Sequence, residues 1–96
     1  MNSITLNLPY DLPDSHLEKI RLVFESMEGW KGHDPDNCPI WFGVPDKDQQ
    51  WLWASWEPSG LLLEGELEPE RFETWINELQ SRLSSALGFP VAAADI

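Results

Sequence analysis

The chain has 96 residues, of which 17 are acidic and six are basic, giving a net charge of −11 and a pI near 4.2. This length suits one domain with a single core, and a hydrophobic share of 42% excludes a disordered chain despite the charge. A surface of this sign repels nucleic acid and anionic membranes, which excludes both as partners, and it attracts basic proteins.

The cysteine count and the first residues indicate where the protein works. One cysteine excludes an intramolecular disulfide and favours a reducing compartment. The opening segment MNSITLNLPYD has no basic region and no long apolar run, so it predicts neither a signal peptide nor a membrane span. We therefore expect a cytoplasmic protein.

The first part of the chain predicts a strand followed by a helix. Strict alternation in SITLNL indicates a strand over residues 3–8 with one buried and one wet face. Ser15 and Glu18 stand in capping-box spacing, and apolar residues then recur every three or four positions, which predicts a helix over 14–28. Asp11 with Asp14 is an alternative start one turn earlier.

The remainder predicts three more strands and a second helix. Residues 29–39 are rich in turn formers and read as a loop, and strands are expected over 40–44, 50–56 and 61–67. The apolar stripe that follows predicts a helix over 69–87, with Pro69 in its first turn and Gly88 at its end. The tail, 89–96, is apolar and is expected to dock or to add a short edge strand.

The order β-α-β-β-β-α predicts a single domain over residues 1–96. We expect an α+β fold of two layers, with a mostly antiparallel four-stranded sheet and both helices packed on one face. The other face of the sheet would be left to solvent or to a partner. The functional hypothesis depends on that open face.

The loop between the last two predicted strands decides which tryptophans are buried, because a shift of one residue inverts every side chain. Pro58, Ser59 and Gly60 suit a three-residue loop that pairs Glu57 with Leu61. A four-residue loop would instead expose Trp51 and Trp53. The preferred register puts Trp51, Trp53, Leu61, Leu63 and Leu67 on the inner face, and Leu52, Ala54, Trp56, Leu62, Glu64 and Glu66 on the outer face.

The segment HDPDNC is the best candidate for chemistry. It places His33, Asp34, Asp36 and Cys38 close together, and these are residue types that bind zinc. Their spacing matches no paired-ligand or calcium-loop signature, and no orienting group completes a thiol–imidazole pair. The carboxylates are better explained as turn residues beside the prolines. We therefore predict no catalytic residue, no metal and no cofactor.

Our main hypothesis is a non-enzymatic binding protein that masks a basic partner, as an immunity or inhibitor protein does. An apolar patch rimmed by carboxylates is typical of protein-binding surfaces. The predicted partner-binding residues are Leu52, Trp56, Leu62, Glu64, Glu66, Asp34, Asp36, Asp46 and Asp48.

Three alternatives remain open for the outer face and the function. The 29–39 loop or the C-terminal tail could cover Trp56 and Leu62. The same patch could form a homodimer, as in a structural or chaperone-like protein. A metal-binding or hydrolytic enzyme centred on the 33–38 loop is the weakest alternative.

Overall fold

The protein has an α+β fold with two helices and a five-stranded antiparallel sheet, as described for residues 1–94 by a computed structural model. The sheet order is β1-β5-β4-β3-β2. The elements follow in the order β1 (Asn2–Leu6), α1 (Asp14–Ser26), β2 (Trp30–His33), β3 (Pro39–Trp41), β4 (Trp51–Glu57), β5 (Gly60–Glu66) and α2 (Pro69–Leu87).

The α+β class with two helices is confirmed, and the expectation of four strands is wrong. The additional strand, β2, lies inside the segment predicted as a loop, where Trp30 pairs with Trp41 and a bulge follows before Gly32. Turn-forming residues on both sides of β2 make this segment resemble a loop in the sequence. Only residues 34–38 form the turn. The strand predicted over 40–44 ends at Trp41, because Phe42 adopts a left-handed φ of 71°.

The helices begin and end through backbone geometry more than through side-chain caps. The N-cap of α1 is Pro13, whose carbonyl accepts hydrogen bonds from the His16 and Leu17 amides. No side chain caps this helix, so the predicted capping box is wrong, and Glu18 pairs with Arg21 instead. In α2, Pro69 occupies the first turn, where its missing N–H leaves no donor unpaired.

The core lies between the helices and one face of the sheet. It includes fully buried leucines of β1, β4 and β5 together with the apolar stripes of both helices. The ring of Trp41 makes edge-on contacts with Phe24, Trp30 and Trp75, at centroid distances of 5.2, 5.6 and 4.9 Å. Its indole N–H donates to the Phe24 carbonyl at 3.0 Å, so this buried polar group has a hydrogen-bond partner.

The register of the β4–β5 hairpin differs by one residue from the preferred expectation. Glu57 pairs with Gly60, and Trp53 pairs with Glu64, so the loop contains only Pro58 and Ser59. The faces of β5 are as predicted, but those of β4 are inverted. Leu52 and Ala54 therefore face the core, together with Trp56, while Trp51 and Trp53 face away from the helices.

The physical reason for this register is a contact with β1 that turn chemistry does not show. Gly60 adopts a φ of 139°, and a Cβ atom at this position would collide with the Leu6 carbonyl oxygen. Only glycine fits this close approach of two backbones. Gly60 is therefore a paired strand residue, and it does not complete the loop.

The C-terminal segment pairs with the outer edge of β1. Leu6 forms a bridge with Ala93, and the Ala94 amide donates to the Thr5 carbonyl at 2.7 Å. Val91 is buried in the core beside this contact. The tail thus docks at a sheet edge away from the open face, as far as residue 94; the rest of the predicted tail, 95–96, lies outside the described residues. Within residues 1–94, no helix has the length and apolar character to cross a membrane.

Candidate functional site

One face of the sheet carries large side chains that no helix covers. Trp51 and Trp53 are partly buried, yet neither belongs to the core or packs against it. Ile40 lies directly opposite Trp53, is only 4% exposed, and is also outside the core cluster. The open face therefore has a small apolar centre of its own.

The strand register places a carboxylate opposite each of these two indoles. Trp51 pairs with Glu66 and Trp53 pairs with Glu64, so both pairs point to the same side of the sheet. Directly opposite residues in an antiparallel pair have Cβ atoms about 4.5–5.5 Å apart. Each indole consequently has a carboxylate beside it on the neighbouring strand.

Two loops complete a depression of about 480 Å³ above these pairs. The loop between β2 and β3 contributes Asp34 and Asp36, and the loop between β3 and β4 contributes Pro45 and Asp46. The full lining consists of Met1, Asp34, Asp36, Pro45, Asp46, Trp51, Trp53, Glu64 and Glu66.

Hydrogen bonds to backbone amides fix the conformations of both loops. One oxygen of Asp34 accepts from the amides of Asp36 and Cys38, each at 2.9 Å. In the second loop, the carboxylate of Asp48 accepts from the Val44 amide at 2.7 Å, and Asp46 adopts a left-handed φ of 67°. Asp36 and Asp46 remain exposed at the rim, so their charges are available to a ligand.

The depression carries an excess of negative charge. Five of its lining side chains are carboxylates, and none of those lining residues within 1–94 is lysine or arginine. The three arginines pair on or between the helices, where Arg21 binds Glu25 at 2.6 Å and Arg82 binds Glu78 at 2.7 Å. The amino terminus belongs to the lining residue Met1, and it lies 3.8 Å from Glu66 and is exposed to water.

The structure brings together most of the predicted acidic residues and separates two of the three predicted apolar residues from them. Glu64, Glu66, Asp34, Asp36 and Asp46 line the one depression. Leu62 shares their face of β5. Asp48 is exposed but lies outside the depression, because its carboxylate is engaged within its own loop.

Leu52 and Trp56 do not belong to the open face, which corrects the prediction. Leu52 is completely buried in the core. Trp56 packs against the core on the helix side and lines a separate depression of about 280 Å³ beside α1. Both corrections follow from the one-residue difference in register.

The preferred register wrongly placed Trp51 and Trp53 on the inner face, although the alternative register placed them outside. The signal was present in the alternation of β4, since Leu52 and Ala54 form an equally apolar set on the opposite side. The prediction that these two tryptophans face the core, and that Leu52 and Ala54 face outward, is therefore wrong. Leu52 lies opposite Gly65 on the inner face, and a leucine side chain fits this position more closely than a tryptophan side chain would.

The 33–38 loop holds a thiol in an acidic and partly buried setting. Burial raises the pKa of Cys38, and the nearby carboxylates of Asp34, Asp36 and Glu57 raise it further. The His33 ring lies edge-on against Trp30 at 5.5 Å. Within residues 1–94, no group of three or more His, Cys, Asp or Glu side chains is arranged to hold a metal ion.

Comparisons with known proteins give no relative from which a role could be transferred. No family model, curated protein or solved structure matches this chain.

Proposed function

We propose that this protein is a non-enzymatic binding domain that holds a basic partner protein on the open face of its sheet. An immunity- or inhibitor-type protein, which masks a cationic surface, is the form of this function that we favour. The observation that supports it is the depression in which Trp51 and Trp53 lie among five carboxylates, with no lysine or arginine among its lining residues in the described range 1–94. The single cysteine fits a cytoplasmic location, which is part of the proposal.

The two kinds of side chain would have different tasks in such a complex. Partly buried tryptophans are the residue type that most often anchors a protein interface, because they bury a large area with little loss of conformational freedom. The carboxylates at the rim would attract a basic partner and increase the rate of encounter. Binding should therefore depend on both the indoles and the salt concentration.

The charge of the face favours a different protein over a second copy of this chain. A twofold interface brings the same patch of both copies together. Here it would place the carboxylates of Glu64 and Glu66 against those of the other copy, and like charges in contact cost several kcal/mol. A cationic partner removes that penalty.

A capture experiment with matched variants tests the proposal. The immobilised protein is exposed to a lysate of its source cell, with Trp53→Ala/Glu64→Lys as the open-face variant. Tyr10→Ala/Glu73→Lys is the control, because it removes one exposed aromatic ring and makes the same charge change elsewhere. Circular dichroism and urea unfolding verify that each variant is folded.

The expected result is a basic protein that the wild type and the control retain and the open-face variant loses. Its release by salt is also expected, because exposed charges are screened beyond about 10 Å at 0.1 M salt. Equal retention by the folded open-face variant would rule out this face as the binding site. An acidic partner that salt does not release would rule out the charge complementarity.

A further inference from the structure

The open face repeats one arrangement of side chains at the spacing of an extended chain. The pair of Trp51 and Glu66 is followed by the pair of Trp53 and Glu64 on the same side of the sheet. Residues two apart on a strand are about 6.6–6.8 Å apart along its axis. The face therefore presents two indole–carboxylate pairs separated by that distance, of which the Glu66 carboxylate also lies 3.8 Å from the amino terminus.

An extended peptide has the same repeat. Its alternate side chains point to the same side with the same spacing, so two side chains at positions i and i+2 can meet the two pairs at once. Side chains at positions i and i+1 point to opposite sides and cannot do so. The geometry thus distinguishes alternating from adjacent side chains in a bound segment.

The chemistry of each pair suits a guanidinium group. An indole attracts a cation to its face, and an adjacent carboxylate accepts its hydrogen bonds. Arginine suits this setting better than lysine, because its planar group stacks on aromatic rings and is less strongly hydrated. The protein contains a related cation–π contact within its fold, where the guanidinium of Arg71 lies 4.3 Å from the ring centroid of Phe42, a phenyl ring.

The loops extend the negative charge along the same line. Trp41 pairs with Leu52, and Ile40 pairs with Trp53, so the chain that follows Trp41 lies toward the Trp51 end of β4. Asp46 belongs to that chain. Asp34 and Asp36 precede Ile40 and lie toward the other end. Each indole–carboxylate pair therefore has additional carboxylates on the β3 side of the depression.

From this register we infer that the open face recognises an extended segment in which two arginines alternate with another residue, one guanidinium seated on each Trp–Glu pair. This inference depends on the proposed function, because it specifies the part of the basic partner that the face contacts. A sugar could also stack on the indoles, but a neutral ligand would bring no positive charge to the five carboxylates.

Calorimetric titration with synthetic peptides tests the inference. One peptide carries Arg-Thr-Arg within threonines, and its isomer of identical composition carries Arg-Arg-Thr. The alternating peptide is expected to bind about tenfold more tightly, because two cation–π contacts form where the isomer forms one. A neutral oligosaccharide of glucose is the third probe, and it is expected to show no binding.

Variants assign the preference to the two pairs. Trp51→Ala and Trp53→Ala should each remove most of the preference for the alternating peptide, and Trp53→Phe should retain part of it. Glu64→Gln preserves the shape of the side chain but removes its charge, so it should weaken the binding of the alternating peptide. Tyr10→Ala should change nothing.

The outcomes separate the inference from the proposed function. If both peptides bind with equal affinity and salt lowers both affinities equally, the face responds to charge alone. The proposed function then stands, and the alternating-arginine inference is overturned. If neither peptide binds at low salt, both are overturned. Binding of the oligosaccharide alone overturns both in favour of a carbohydrate ligand.

Discussion

At the scale of single residues, β4 and β5 differ in how their side chains divide between the two faces of the sheet. In β5 one face carries Leu61 and Leu63 and the other carries Glu64 and Glu66. Burying the leucines in the core is therefore the only favourable assignment of its faces. In β4 both sets are apolar. The choice between Trp53 and Leu52 depended on a backbone contact between Gly60 and β1, which is distant in sequence.

Stability measurements on two single variants test this assignment of faces. Leu52→Ala should lower the free energy of unfolding by about 2–5 kcal/mol, because it leaves a cavity in the core. Trp53→Ala should lower it by about 1 kcal/mol, because its indole lies outside the core and is already partly hydrated. Urea unfolding followed by circular dichroism measures both. Equal losses would mean that Trp53 is a core residue and that the register is wrong.

A second residue-scale prediction concerns the thiol of Cys38. Its raised pKa lowers the thiolate fraction at any given pH, so the rate of alkylation should reach half its maximum at a pH above the value of about 8.5 typical of free cysteine. A pH series with iodoacetamide measures that midpoint. The same chain unfolded in urea is the control, and an equal or lower midpoint in the folded protein would contradict the prediction.

At the scale of elements, the helices and the longer strands could be predicted, and the short strand β2 could not. The apolar stripe of α2 repeats over five turns, so the sequence predicts a helix there even where single residues have low helix propensity. β2 has only four residues, contains a glycine with a φ of 97°, and depends on pairing with β3 for its existence. Its sequence alone is therefore indistinguishable from a loop.

The hairpin register gives a prediction for Gly60. Gly60→Ala should lower the free energy of unfolding by about 2–3 kcal/mol, because an L-residue is strained at a φ of 139° and its Cβ meets the Leu6 carbonyl. Gly88→Ala is the control. It has a φ of 80° but open space around it, so only the strain of about 1 kcal/mol applies. Urea unfolding compares the two, and an equal loss would remove the argument for the contact with β1.

At the scale of the whole molecule, the net charge was predictable and its distribution was only partly so. The spacing of Glu18, Arg21 and Glu25 places these charges together on one helical turn and the next, as their ion pairs show. Arg21 is thereby neutralised on α1, and Arg82 pairs with Glu78 on α2. The face that carries Glu64 and Glu66 was predictable from β5, whereas the identity of the tryptophans that share it depended on the register of β4.

Uncompensated charge of one sign should also weaken the fold itself. Raising the salt concentration from about 0.01 M to about 0.15 M shortens the screening length from about 30 Å to about 8 Å. The free energy of unfolding should therefore rise over this range, because repulsion among the carboxylates is reduced. Urea unfolding in sodium chloride measures the change. A loss of stability with added salt would show that the ion pairs of the helices outweigh the repulsion.

The division of the tryptophans between the two faces has an optical consequence. Trp30, Trp41 and Trp75 lie within one chain of edge-on contacts, so their electronic transitions couple and should produce an exciton signal that reports the packing of the core. Trp51 and Trp53 stand apart from that cluster. Their emission should be open to quenching by acrylamide and to shielding by a ligand. Folding and occupancy can thus be followed at once, in the same sample, from chromophores that the protein already contains.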